Sequence, residues 1–116
     1  MNARLFAMRF ADLYPAYVNK AEGKGRTRDE VDTIIAYATG VSSEDLHALV
    51  EDPESSTTVG EFFDQATLPA NAHLITGSVC GVKVQEVDDP TMKKIRILDE
   101  LIDELAKGKA MEKILR

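Results

Sequence analysis

Apolar residues recur at helical spacing over the last quarter of the chain, residues 88–116. Intervals of three and four residues separate the apolar positions, which are Ile95, Leu98, Ile102 and Leu105, with Met92 and Leu101 beside them. This spacing places all six on one face of an α-helix. Because burying each side chain is worth about 1.5–3 kcal/mol, the stripe is predicted to lie in the core.

Residues typical of helix starts and helix ends set the limits of this predicted helix at 89–107. Asp89 can cap the first free amides, and Pro90 suits the first helical position. Lys107 complements the negative end of the helix dipole, and Gly108 is a typical left-handed stop. The charged residues are predicted to face water, and they are Lys93, Arg96, Glu100, Asp103 and Glu104.

Shorter helices are predicted before it. Thr27 with Glu30, and Thr58 with Glu61, match the capping-box pattern at a helix start. Apolar stripes follow both boxes, and Gly40 is placed to end the first of these helices. A further helix begins at Ser42 or Ser43 and ends at Pro53, in a loop over residues 52–57.

The N-terminal segment shows a different pattern. Phe6, Met8 and Phe10 alternate with other residues, which predicts an extended segment tucked onto the core. Asp12 is placed to cap a helix that holds Pro15 in its first turn. Tyr14 and Tyr17 would then share one face of this helix, in the core with their hydroxyls at its rim.

The spacing of apolar residues in 70–87 fits both a strand and a helix. Cys80, Val82 and Val84 alternate as in a strand, whereas Ile75, Val79 and Val82 also fit a helix. An irregular helix packed under the C-terminal helix is favoured. The alternative is a two-stranded ribbon with the N-terminal segment.

The final apolar triplet, Met111, Ile114 and Leu115, is predicted to fold back and cover one end of the bundle. The whole pattern predicts a mainly α fold. Residues 1–116 would form one compact domain of about five or six helices around residues 89–107, with a short β-ribbon as the open alternative.

Composition narrows the class of protein. The chain has 116 residues and a formal net charge of −6, which argues against binding nucleic acid or an anionic membrane. No apolar run approaches the ~18 residues of a membrane span. The single cysteine cannot form an internal disulfide. A cytoplasmic protein is expected.

A local basic cluster stands out in this acidic chain. Lys20, Lys24, Arg26 and Arg28 surround the first loop between helices, with Glu22 among them. Together with the free amides after the Thr27 cap, they could hold a phosphate or an acidic partner segment. The alternative is an ordinary solvated loop.

The chain has few His and Cys side chains that could act as metal ligands. His47, His73 and Cys80 show no paired metal-binding spacing, so neither a metal site nor a cofactor is predicted. Cys80 and His73 could act as a nucleophile pair only if the fold brought them together. Burial of Cys80 is favoured, because cysteine is among the most buried residue types.

Two stretches carry a family resemblance. LITGSVCGVKVQEVDDPTMKKIRILDELIDELAKGKAMEKILR, residues 74–116, and KGRTRDEVDTIIAYATG, residues 24–40, resemble the bacterial family called domain of unknown function 2200 (DUF2200). The resemblance implies a compact, mainly α-helical fold. It implies no activity, ligand or catalytic residue.

The sequence therefore favours a small non-enzymatic protein that acts by binding another protein or itself, through the basic cluster or the apolar tail. No catalytic residue is predicted. The alternative is a small-molecule-binding protein or enzyme, with a site near Tyr14, Tyr17, His73, Cys80 and Arg96.

Overall fold

The computed structural model describes residues 3–75, 78–79, 82–83 and 89–115. In chain order its elements are α1 (Ala3–Ala7), α2 (Phe10–Glu22), α3 (Arg28–Thr39), α4 (Ser43–Glu51), α5 (Val59–Asp64), a 3-10 helix (Ala72–Leu74), β1 (Ser78–Val79), β2 (Val82–Lys83), α6 (Pro90–Ala106) and α7 (Met111–Ile114). Helices dominate these ranges, so the predicted mainly α fold is confirmed.

The long helix α6 begins and ends where the sequence predicts. The Asp89 carboxylate accepts a hydrogen bond from the Met92 N–H at 2.9 Å, and Pro90 occupies the first helical position. Gly108 follows the helix with a φ of +96°, a conformation that other residues adopt only with strain. Asp89 satisfies a free backbone N–H at the helix start, Pro90 removes another, and Gly108 turns the chain at the helix end. These local signals therefore fix where the helix begins and ends.

The apolar stripe of α6 lies at the centre of the molecule. Its four main members are at most 2% exposed, and they are Ile95, Leu98, Ile102 and Leu105. Helices α2, α3, α5 and α7 and strand β1 all pack against α6. The prediction that the preceding helices enclose this stripe is confirmed.

The polar face of α6 differs from its prediction. Glu100 and Glu104 were expected to face water, but they are only 7% and 8% exposed. Ile97 lies beside them on the helix and is also buried. The expectation fails because α6 has neighbours around most of its circumference, including β1 and α7. Burial, with Glu104 next to it, raises the pKa of Glu100 to about 7.

Replacing Glu100 with Gln is expected to stabilise the protein at about pH 8 by about 2 kcal/mol. The folded state keeps the Glu100 proton up to about pH 7, whereas an ordinary glutamate releases it near 4.5. The folded state therefore binds more protons in this window, and its stability falls as pH rises. Glutamine keeps a neutral side chain at every pH. Urea unfolding at about pH 5 and about pH 8 measures the difference.

Glu22→Gln is the matched control for this prediction, because Glu22 is exposed on α2. Its free energy of unfolding should differ from that of the wild type by less than about 0.5 kcal/mol. A Glu100→Gln protein with the wild-type pH dependence would contradict the assignment of the raised pKa to Glu100.

The capping boxes form as predicted. The Thr27 N–H donates to Glu30 Oε1 at 3.0 Å, and the Glu30 N–H donates back to the Thr27 hydroxyl at 3.2 Å. Thr58 and Glu61 repeat this exchange at the start of α5. Of the two serines proposed to cap α4, Ser42 does so.

The N-terminal prediction is partly wrong. The first residues are helical rather than extended, and α2 begins at Phe10 instead of after Asp12, which places Pro15 inside the helix. Long-range contacts decide this start, because the Phe10 N–H donates to the Thr57 carbonyl at 2.9 Å. The Phe10 ring also stacks on Phe62 with 3.8 Å between centroids.

The segment between the 3-10 helix and α6 is not helical where it is described. After the 3-10 helix, β1 and β2 pair antiparallel with each other, with Val79 opposite Val82. The favoured irregular helix is therefore wrong for these four residues, and so is a ribbon with the N-terminal segment. The predicted strand positions Cys80 and Val84 lie outside the described residues.

The C-terminal tail docks on its own core, as predicted. Ile114 is fully buried, and Met111 and Leu115 pack against the core beside it.

Candidate functional site

A groove of about 440 Å³ opens at the surface between α3, α4 and α5. Its volume lies within the usual range of sites for small molecules or side chains. Its apolar lining consists of Val41, Leu49, Phe62 and Ala66, and its polar lining of Thr39, Asp45, Ser56, Thr57, Glu61, Gln65 and Thr67, with Gly40 at the α3 end. We call this site the α3–α4–α5 groove.

Helix caps set the positions of the groove side chains. Ser42 accepts a hydrogen bond from the Asp45 N–H at 3.1 Å and so fixes the start of α4. Asp45 and Leu49 are four residues apart and share one face of α4. The α5 capping box holds Glu61 in the same way, with Gln65 one turn further along. Local sequence therefore decides which side chains meet at the groove.

The end of α3 closes one side of the groove. Gly40 has a φ of +77°, which turns the chain sharply after the helix. The Thr67 N–H then donates to the Thr39 carbonyl at 2.8 Å and ties the segment after α5 to the end of α3. A residue with a side chain at Gly40 would strain this left-handed turn.

The loop of residues 52–57 forms the opposite wall. Arg9 holds it from behind, because its Nε donates to the Ser55 carbonyl at 2.6 Å and its guanidinium also reaches the Pro53 carbonyl at 3.4 Å. The Val59 N–H donates to the Met8 carbonyl at 2.7 Å, next to the end of the loop. The wall that carries Ser56 and Thr57 is thus attached to the N-terminal part of the chain.

The groove is acidic. Asp45 and Glu61 both line it, and no Lys, Arg or His lies among the described residues of its lining. Its apolar lining can accommodate an alkyl or aromatic group, while the carboxylates can accept hydrogen bonds from a cation. The arrangement favours a ligand that is both cationic and partly apolar.

A second polar cluster joins α2, α3 and α4 on the other side of α4. Asp32 is only 4% exposed and accepts hydrogen bonds from the Tyr14 hydroxyl and, at 2.7 Å, from His47 Nε2. Arg28 Nε donates to the Tyr14 oxygen at 2.8 Å, and its guanidinium lies 5.4 Å from the centre of the Tyr14 ring. We call these four residues the Asp32 network.

The Asp32 network fits a structural role. Burial and the hydrogen bond to Asp32 raise the pKa of Tyr14 to about 12, so the hydroxyl keeps its proton and remains a donor. A histidine paired with a carboxylate can act as a base, but His47 lies on the face of α4 opposite Asp45 and Leu49, away from the groove. The network therefore holds α4 in position without taking part in the groove.

The basic cluster is largely paired with carboxylates. Arg26 contacts Glu30 at 2.7 Å and donates to the carbonyls of Leu105, in the last turn of α6, and of Lys109, just after the helix. The hydrogen bond from Arg26 lowers the pKa of Glu30 to about 2. Lys24 is exposed in the turn after α2.

The other two members of that cluster lie apart. Lys20 meets Asp103 of α6 at 3.2 Å, and Arg28 lies 3.8 Å from Glu51 at the end of α4. Lys20 and Arg26 therefore contact α6, whereas Arg28 contacts α4. Binding of a phosphate or acidic segment by this cluster stays a prediction.

Tyr17 and Arg96 come together through Asp99. Arg96 lies 3.8 Å from the Asp99 carboxylate, whose burial raises its pKa to about 6. Burial raises the pKa of Tyr17 well above its ordinary value, with a smaller effect of Asp99. The Tyr17 hydroxyl is buried, and its oxygen has no hydrogen-bond partner in the described part of the chain.

The predicted pair of His73 and Cys80 cannot be assessed as a pair. His73 is exposed in the 3-10 helix, and Cys80 lies outside the described residues. Within the ranges described, no three His, Cys, Asp or Glu side chains come close enough to hold a metal ion. A small-molecule or enzymatic site near Cys80 and His73 stays a prediction.

Sequence reasoning did not identify Asp32 or the α3–α4–α5 groove. Asp32 carried a signal, because an acid occurs between Val31 and Ile35 in a stretch of apolar helix positions. The groove had no such signal in the sequence. Asp45 and Glu61 occur in the first turns of helices, where acids are common because they complement the positive end of the helix dipole. Only the arrangement of three helices brings these two carboxylates to one site.

No helix in the ranges given above combines the length and the apolar character needed to cross a membrane.

Comparisons with known proteins agree with the fold. A crystal structure of the uncharacterized protein SP1917 superposes with a TM-score of 0.90 at 39% sequence identity, over 99% of this chain and 93% of that chain. A search of curated proteins finds no match. The model of the family described as "Uncharacterized protein conserved in bacteria (DUF2200)" matches residues 4–116. The chain belongs to the DUF2200 family.

Proposed function

We propose that this protein is a cytoplasmic, non-enzymatic binding domain that docks a segment of a partner protein in the α3–α4–α5 groove. The observation that carries the proposal is the groove itself, open to the surface and lined by both apolar and polar side chains. Short segments of partner proteins bind in grooves of this kind by placing one or two side chains in apolar pockets.

Two features favour a foreign partner over a second copy of the chain. The net charge of −6 makes two copies repel each other, and the acidic groove adds to this repulsion. The apolar tail, once a candidate for self-association, has Ile114 fully buried in its own core. The chain has one cysteine and needs no disulfide, which is consistent with a cytoplasmic location of the protein.

The test is selection of binding segments from a random peptide library displayed on phage. Selected peptides should shift the NMR amide signals of Val41, Leu49 and Gln65. Gln65→Trp, which places a large ring in the groove, should weaken their binding by at least about ten-fold.

Asn19→Trp is the control, because Asn19 is exposed on α2 and does not line the groove. It should leave peptide binding unchanged. Failure to select any peptide, or shifts confined to other surfaces, would contradict the proposed function. So would equal binding by wild-type protein and the Gln65→Trp variant.

A further inference from the structure

We infer that the α3–α4–α5 groove selects its partner segment through one basic side chain, with arginine preferred to lysine, bound by Asp45 and Glu61 beside the Phe62 ring. This inference rests on the proposed function and specifies the chemistry of the segment.

The two carboxylates are available to a ligand. Both residues are exposed where they line the groove. The hydrogen bond between Asp45 and Ser42 uses only the backbone N–H of Asp45. Glu61 accepts from Thr58 through Oε1 alone. Neither the Asp45 carboxylate nor Glu61 Oε2 has a hydrogen-bond partner among the described residues, so both can accept donors from outside.

No cation among the described residues pairs with them. The described lining contains no basic residue, whereas Arg9, Arg26 and Arg28 bind carbonyls or carboxylates at other places. An acidic or phosphorylated segment would be repelled by this groove. A basic segment is attracted by the groove and by the net charge of the whole protein.

Phe62 accounts for the preference for arginine. Phe62 lines the groove and is 9% exposed, with one face of its ring stacked on Phe10. A guanidinium is planar, stacks on aromatic rings and offers several N–H donors to two acceptors at once. An ammonium group is smaller and more strongly hydrated, and it forms fewer of these contacts. Val41 and Leu49 would contact an apolar neighbour in the segment.

The experiment uses the charge-removing variant Asp45→Asn/Glu61→Gln. Glutamine retains the acceptor that the α5 capping box needs. The control, Glu44→Gln/Glu54→Gln, changes the net charge equally at two exposed positions outside the lining. Peptides selected on the wild-type protein are measured against all three proteins, each peptide also with its arginine replaced by alanine or lysine.

We expect arginine to be enriched among the selected peptides. The charge-removing variant should bind them at least about ten-fold more weakly, while the control variant should bind within about two-fold of wild type. Replacing the arginine by alanine should weaken binding to wild type but add nothing to the loss in the variant. Added salt should weaken wild-type binding more than binding to the variant.

Failure of this inference is distinct from failure of the proposed function. Peptides that shift the groove signals but contain no enriched basic residue would leave the groove as the docking site and overturn its preference for a cation. Equal weakening of peptide binding by the charge-removing and control variants would also overturn the preference for a cation, because the loss of binding would then come from net charge alone.

Discussion

Replacing Leu98 with Asp is expected to abolish folding of the chain. Leu98 is fully buried in the middle of α6, the helix against which α2, α3 and α5 pack. Truncation of a buried leucine to alanine already costs about 2–5 kcal/mol. An aspartate adds the cost of an unpaired charge in the core. The sum approaches the whole stability of a typical domain, about 5–15 kcal/mol.

Circular dichroism and NMR signal dispersion report this loss of structure directly. Leu98→Met is the matched variant, because it conserves volume and polarity and should cost less than about 1.5 kcal/mol. A Leu98→Asp protein that remained folded and monomeric would show that α6 does not form the core.

The second large effect is expected for Asp32→Ala, which should lower the free energy of unfolding by about 1–3 kcal/mol. Asp32 is the common acceptor of its network, so its removal leaves the Tyr14 hydroxyl and His47 without their partner. Arg28 keeps two contacts, its hydrogen bond to Tyr14 and its looser contact with Glu51. The buried Tyr14 hydroxyl, left without an acceptor, carries most of this cost, because the His47 side chain is 42% exposed and can reach water. Urea unfolding at neutral pH measures it.

Two further readouts identify the cause. Asp29→Ala removes an exposed acid from the same helix and should cost less than about 1 kcal/mol. In an Asp32→Asn protein the pKa of Tyr14 should fall from about 12 but stay above 10, because burial is the larger cause of its rise. Equal losses for Asp32→Ala and Asp29→Ala would show that the Asp32 network does not stabilise the fold.

Features encoded within one turn of helix could be predicted from the sequence. The caps at Thr27, Thr58 and Asp89 need only residues up to three positions away, so their patterns suffice. The stripe of α6 is equally local, because its period alone assigns a buried face. The family resemblance also led to the correct family.

Features that depend on distant residues could not be predicted. Helix α1 has only five residues, too short to be stable alone, and it packs against α5, where a side chain at Gly60 would lie 3.2 Å from Phe6. The burial of Glu100 and Glu104 depends on segments that fold over α6 from other parts of the chain. The groove is lined by consecutive elements between residues 39 and 67, but one of its walls is held by the distant residue Arg9, which donates to the Ser55 carbonyl.

The attachment of the 52–57 loop to Arg9 has a thermodynamic consequence for recognition. Ordering a free backbone residue costs about 1–2 kcal/mol of conformational entropy. Here the Ser55 carbonyl is already bound by Arg9, so this cost is met during folding. A partner segment docked as proposed would meet a pre-organised wall and lose little affinity to induced ordering.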